Sequence, residues 1–148
     1  MSKAIVVGTD GSERAGRALH EAIRIAAALG AELHVVSAYE PLRGARIVGA
    51  PEAAAKVWAP QPDAEVQATL GEAAASARAH DVKVTAHAVN KDPADALLEV
   101  AAEVEAEMIV VGDKGMHGAQ RFVLGNVPNK VSHRAPCNVL IVSTGKAE

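Results

Sequence analysis

Met108-Ile109-Val110-Val111-Gly112-Asp113-Lys114-Gly115 sets a short apolar run directly before a glycine-rich turn, and nine residues later Gly125-Asn126-Val127-Pro128 opens a helical pattern with another glycine. Glycine reaches positive φ without steric penalty and lets a phosphate approach backbone N–H groups that a Cβ would shield. Two such turns can wrap one anion. At position 126, however, Asn stands where a hydroxyl is the expected phosphate donor, and Pro128 has no N–H to give.

Three further apolar runs share the character of Met108 to Val111: Ala4 to Gly8, Leu33 to Ala38 and Val139 to Val142. Each is short and apolar on both faces, as expected of strands covered by helices on both sides. Val82 to Val89 differs, because Val82, Val84, Ala86 and Ala88 alternate with Lys83, Thr85 and His87, the pattern of a half-exposed edge strand. Helical patterns lie between the runs. Ala15, Leu19, Ala22, Ile23 and Ala26 recur after Ser12, an N-cap residue type, and Gly30 offers a left-handed stop. A second pattern runs from about Asp63 to His80, with Val66, Leu70, Ala73 and Ala77 inward. The third starts at Asp92-Pro93 and continues through Leu97, Ala101 and Val104, and the last spans Asn126 to about Arg134, with Val127 and Val131 on one face.

This alternation predicts an α/β fold: a doubly wound, five-stranded parallel sheet with helices on both faces. With the half-exposed strand at one edge, right-handed crossovers give the order 3-2-1-4-5. The direction of winding then reverses between the first and fourth strands, and ligands of such sheets bind there, beyond the strand carboxyl ends. Gly8-Thr9-Asp10-Gly11 and Gly112-Asp113-Lys114-Gly115 stand at that point. The same order leaves Val139 to Val142 at the opposite edge, apolar and without a protective charge. An exposed edge of that kind predicts a homodimer formed by antiparallel pairing through this strand, the alternative being cover by the C-terminal tail.

The 148 residues fit a single domain. A net charge of −3, with no basic run or aromatic stacking platform, gives no case for nucleic acid. The first apolar run is too short for a signal peptide or membrane span, so the cytoplasm is the expected compartment and no membrane is a partner. The single Cys137 excludes an internal disulfide and reads as a buried thiol. Aromatic residues make up only 2% of the chain, so the core must come from small and branched aliphatics in close helix-on-sheet layers. Residues 40–62 contain four prolines and Trp58 and are expected to form a flexible loop, either a lid over the crevice or a mobile surface segment.

Asp10 at the tip of the first strand is a candidate acceptor for ribose hydroxyls, and equally a carboxylate that orders Gly11 and Ser12. The main chain of Val35 can offer polar groups to an adenine edge, as could that of any core valine. Gly125-Asn126 supplies free N–H groups at the positive end of a helix. Lys114, Arg121 and Lys130 are candidate compensating charges. The chain has no G-x-G-x-x-G after its first strand, no G-x-x-x-x-G-K-[ST] loop, no G-x-S-x-G elbow and no histidine spacing suited to metal. Dehydrogenase and P-loop chemistry are disfavoured, and no catalytic residue or metal ligand is nominated.

Three stretches taken together resemble the universal stress protein family, of the single-domain UspA type: Val7-Gly8-Thr9-Asp10-Gly11-Ser12, Gly112-x-x-Gly115 with Gly125 nine residues on, and Asn129 through Ala135-Pro136-Cys137 to Val142. The similarity covers nearly the whole length. It implies a Rossmann-like fold, a homodimer in stress response or signalling, and ATP, with magnesium or manganese, in the crevice at the reversal point. Carried onto this chain, Asp10 faces the ribose, the Val35 main chain faces adenine, and Gly112, Gly115, Gly125, Asn126 and Val127 hold ribose and phosphates. With Gly8, Thr9 and Val111 at the strand ends, these form the expected nucleotide-binding set. The family pattern G-x2-G-x9-G-[ST] is broken at Asn126, where loss of one donor costs about 0.5–1.5 kcal/mol, or roughly tenfold in affinity. Cyclic AMP is the alternative ligand. A nucleotide-free dimerisation or chaperone-like protein and a slow ATP hydrolase or autophosphorylating protein are the alternative functions.

Overall fold

The computed structural model describes residues 3–39, 64–113 and 125–144. The loop expected at 40–62, with Trp58, lies outside the described residues, as do Lys114, Gly115 and Arg121. In chain order the elements are β1 (Ala4–Gly8), α1 (Glu13–Leu29), β2 (Glu32–Ala38), α2 (Ala64–Ala79), β3 (Val84–Val89), α3 (Pro93–Glu103), β4 (Met108–Gly112), α4 (Asn126–Arg134) and β5 (Asn138–Val142). The strands form one parallel sheet in the order β3-β2-β1-β4-β5, a Rossmann-like α/β arrangement with the expected reversal between β1 and β4.

Strand alternation divides the core between the two faces of the sheet. Ile5 and Val7 of β1, Leu33 and Val35 of β2 and Val110 of β4 pack with Ala18, Ala22 and Ile23 of α1 and Leu70, Ala73 and Ala77 of α2. Val6, Val36, Ile109 and Val111 face the other way, against Ala94, Leu97, Val100 and Ala101 of α3 and Val131 of α4. The helix faces are dominated by alanine, which lets the helices lie close to a sheet of branched aliphatics and explains how a core so poor in aromatic rings is filled.

Helix ends follow the sequence signals. Ser12 caps α1, its Oγ accepting the Ala15 N–H at 3.1 Å, and Gly30 closes the helix at φ 66°, donating its N–H to the Ala26 carbonyl. Asp92 caps α3 by accepting the Asp95 N–H at 3.3 Å, with Pro93 in the first position. The third strand begins at Val84 rather than Val82. Val82 instead donates its N–H to the Ala77 carbonyl at 3.0 Å, and Asp81 turns through φ 59°, so the main chain at Val82 still serves the end of α2 while its side chain is already buried. At the other edge β5 pairs only with β4 among the described residues, and Val139 to Val142 are half-buried. No helix among the described residues is long and apolar enough to cross a membrane.

Pairing of β2 with β3 also joins two histidines that are 53 positions apart. His34 Nδ1 and His87 Nε2 lie 2.9 Å apart, so one ring donates and the other accepts while at least one is neutral. Burial pushes both imidazoles below their ordinary value; Glu32 partly opposes this at His34, and Glu103 and Glu32 do so at His87. A histidine whose folded pKa is depressed binds more protons unfolded than folded, so stability rises with pH. We expect stability to be full above about pH 6.5 and to fall as pH drops through that ordinary value toward the lowered folded values. Urea titrations between pH 8 and 5 check this: a His34→Gln/His87→Gln variant should show a shallower loss, and an equal slope in both proteins would refute the assignment.

Candidate functional site

At the end of β1, Leu97 of α3 lies close against Gly8. A Cβ built there would stand 3.2 and 3.3 Å from the two Cδ atoms of Leu97, which must shift to admit it. The chain then turns through Thr9 to Ser12. Gly11, at φ 82°, donates its N–H to Thr9 Oγ1 at 3.3 Å, and Ser12 donates to Asp10 Oδ1 at 2.8 Å. Asp10 thus orders the start of α1 with one oxygen. The carboxylate is exposed, and Oδ2 has no partner among the described residues.

β4 ends beside it at Gly112, and Asp113 ties three parts of the chain together. Its N–H donates to the Val142 carbonyl at 2.9 Å, extending the ladder to β5. Its Oδ1 accepts the Thr144 hydroxyl at 2.6 Å and the Thr144 N–H at 3.1 Å. Its carbonyl accepts the Gly125 N–H at 3.1 Å. The last bond holds the second glycine turn against the end of β4, although the two residues are twelve positions apart in sequence.

Gly125 is the N-cap of α4, extended at φ −62° and ψ 168°, with no side chain to satisfy the helix start. The first intrahelical bond runs from Asn129 N–H to Gly125 carbonyl. Asn126, Val127 and Pro128 therefore occupy the three positions whose N–H groups have no intrahelical acceptor. Proline at the third of these breaks no helical bond. The main-chain donors left at this helix end are Asn126 and Val127. Lys130, by contrast, faces α3: its Nζ lies 2.9 Å from Asp95 Oδ1 and 3.3 Å from Asp92 Oδ2. That contact holds the Asp95 carboxyl below and the Lys130 ammonium above their usual ranges, and it commits the lysine to stapling α4 onto α3.

Between these loops lies a crevice of about 160 Å³ at the carboxyl ends of the strands. It brings together Gly8, Thr9, Asp10, Val111, Gly112 and Val127 of the expected set. Gly125 and Asn126 flank it at the start of α4; Gly115 lies outside the described residues. Val35 is elsewhere. Its side chain is fully buried against α1 and α2, and its polar main-chain groups point to β3, as those of Leu33 and Tyr39 do when they donate to Lys83 and Val89. The next residues in alternation, Val36 and Ala38, line the crevice. Val36 accepts the Thr9 N–H at 2.9 Å, so the main chain of Ala38 points toward β1 two residues farther on, where β1 has ended. Strand parity and strand end, both readable once the register is known, single out Ala38. Arg14 and Leu97 are further lining residues that sequence reasoning passed over.

The family model described as "Universal stress protein family" matches residues 1–143. The chain belongs to that family. A universal stress protein of Mycobacterium tuberculosis is 38% identical over 146 residues, covering 96% of this chain and 97% of the relative. One from Thermus aquaticus is 35% identical over 147 residues, covering 96% and 99%. Among solved structures, a universal stress protein in complex with cAMP is 35% identical, with a TM-score of 0.74, covering 97% of this chain and 98% of that one. The Archaeoglobus fulgidus universal stress protein in complex with dAMP is 27% identical, with a TM-score of 0.66, covering 94% and 96%.

In this universal stress protein the Asp113 carboxylate is the acceptor for the hydroxyl and N–H of Thr144, a residue only 2% exposed. Asp113→Ala leaves both donors short and should cost about 1–3 kcal/mol in urea unfolding. Asp113→Asn, which keeps one acceptor oxygen, should cost less. Equal stability of all three proteins would show that this junction does not hold the site.

Proposed function

We propose that this universal stress protein binds an adenine nucleotide in the crevice between the ends of β1 and β4 and acts by occupancy rather than turnover. The observation that carries the reading is the pair of N–H groups of Asn126 and Val127, without an acceptor among the described residues and held by the Asp113–Gly125 bond at the reversal point of the sheet, with Asp10, whose Oδ2 has no partner among those residues, lining the same crevice as Val127. In this reading Asp10 takes the ribose hydroxyls, and Gly112, Gly115, Gly125, Asn126 and Val127 surround the phosphate. Gly8, Thr9 and Val111 form the floor. The adenine edge falls to the main chain of Ala38, because that of Val35 is spent on β3.

Two main-chain donors and the Asn126 amide suit a single phosphate, and the relatives solved with cAMP and dAMP carry one each. Cyclic AMP or AMP is therefore the ligand we favour. The spacing Gly112-x2-Gly115-x9-Gly125 supports ATP as the second reading. Magnesium or manganese would then enter with the triphosphate, since no group of three or more His, Cys, Asp or Glu among the described residues could hold a metal ion. The described lining residues include no histidine and no thiol to serve as a base or nucleophile. The proposed compartment is the cytoplasm, in keeping with a lone, half-buried Cys137 whose thiol burial pushes up.

Titration calorimetry with cyclic AMP, AMP and ATP, the last with and without magnesium, tests the ligand. Binding of the monophosphates is expected, and Asn126→Ser should strengthen ATP binding by about tenfold by restoring a hydroxyl donor. Absence of heat with every adenine nucleotide at millimolar concentration would sink the proposal.

The assembly we propose is a homodimer through β5, whose outer edge offers main-chain groups that pair with no other strand among the described residues, between half-buried Val139 and Val142. Sedimentation equilibrium should return twice the chain mass. A monomer that persists at high protein concentration would rule the dimer out.

A further inference from the structure

Arg14 lies in the first turn of α1 and lines the crevice. Its Nη1 is the one buried side-chain nitrogen or oxygen among the described residues with no hydrogen-bond partner. Several other described cations have partners: Lys130 has Asp92 and Asp95, Arg24 has Glu21, Lys91 has Glu99, and Arg17 has the Thr144 carbonyl and Glu13. A guanidinium cannot shed its proton to relieve the situation, and a charged N–H taken out of water without an acceptor carries the full desolvation cost. The position adds a second penalty. The first turn of a helix is its positive end, where a cation is disfavoured and an anion favoured. Nothing in the packing of α1 calls for arginine here, because the residues that the helix buries are Ala18, Ala22, Ile23 and Ala26.

Both penalties vanish if an anion occupies the crevice. Among its described lining residues Arg14 is the only cation and Asp10 the only carboxylate, and they stand four positions apart on the same turn into α1. We infer that Arg14 is the phosphate-selecting residue of the crevice, its planar fork gripping the phosphate oxygens that the two N–H groups of α4 leave unmet, so that the site takes phosphorylated adenine nucleotides in preference to the nucleoside. This rests on the adenine-nucleotide reading for the identity of the base, and on the buried, partnerless Nη1 of the half-buried Arg14 for the identity of the charge. A bidentate arginine also compensates for what the family's hydroxyl position lacks in this chain, where Asn126 stands.

Calorimetry of the wild type, Arg14→Gln and Arg14→Lys against cyclic AMP, AMP, adenosine and sodium pyrophosphate tests the inference. Arg14→Gln should weaken both nucleotides by about ten- to a hundredfold, the range for a hydrogen bond to a charged group, and abolish pyrophosphate binding while adenosine changes by less than about twofold. Arg14→Lys should recover part of the loss. Without ligand, Arg14→Gln should unfold at or above the wild-type temperature, since it removes a buried charged N–H that has no acceptor among the described residues; an arginine that merely braces the fold would lower it.

An equal loss for adenosine and AMP, or a lower unliganded melting temperature with unchanged nucleotide affinity, overturns the inference. If adenosine and the nucleotides bind but Arg14→Gln alters none of them, Arg14 falls and the adenine reading stands. If pyrophosphate binding depends on Arg14 while no adenine compound binds, the anion site stands and the adenine reading falls. Failure of the wild type to bind any of the four overturns both.

Discussion

Pairing of β1 with β4 brings together two strands that lie about a hundred residues apart in the chain, in the register Ile5 to Met108, Val6 to Ile109 and Val7 to Val110, and the rest of the molecule is arranged around that seam. Both faces of the seam are dry: Val6 and Ile109 are fully buried beneath α3 and α4, and Ile5, Val7 and Val110 beneath α1 and α2. Full burial of each such side chain stabilises by about 1.5–3 kcal/mol, so a shift of register would expose several at once. The chain leaves β1 toward one side of the sheet and β4 toward the other. Their loops therefore splay apart, and the crevice is a consequence of topology before any side chain is chosen.

Residue choice then decides what the crevice can do. Glycine at position 8 lets α3 descend onto β1, and the Asx turn at Asp10 spends one carboxylate oxygen on order while leaving the other open. Gly125 caps α4 without a side chain and so leaves the helix end bare. Proline at position 128 stiffens that end without breaking a helical bond. Polar groups here lack partners among the described residues, in contrast with the caps of α1 and α3, which Ser12 and Asp92 close from within.

Much of this was legible in the sequence because the signals were local. Ser12, Gly30 and the Asp92-Pro93 pair act on backbone groups three or four residues away, and apolar runs covered on both faces look the same in any parallel sheet. Alternation in Val82 to Val89 exposed the edge strand and, with it, the strand order. The start of that strand was misplaced by two residues because Val82 is apolar yet bonded to α2, a distinction that side-chain pattern does not carry. Ala38, the residue proposed for the adenine edge, was hidden for a related reason: whether a strand residue turns its main chain to one neighbour or the other depends on register, which the sequence does not print. His34 with His87, and Arg14 with its crevice, are meetings between distant segments or between a side chain and a void. Neither leaves a spacing in the sequence, although arginine at the positive end of a helix is a local conflict that could have drawn notice.

Asp113 ties the start of α4 to the end of β5. Its carbonyl fixes the start of α4, its carboxylate and N–H fix the end of β5, and Thr144 passes the connection to α1 through the Arg17 guanidinium. A pull on α4 and a pull on the outer edge of β5 are thus borne by the same residue, like two loads on one rivet. If a ligand at α4 and a partner at β5 change each other's affinity through this joint, the two changes must be equal in free energy.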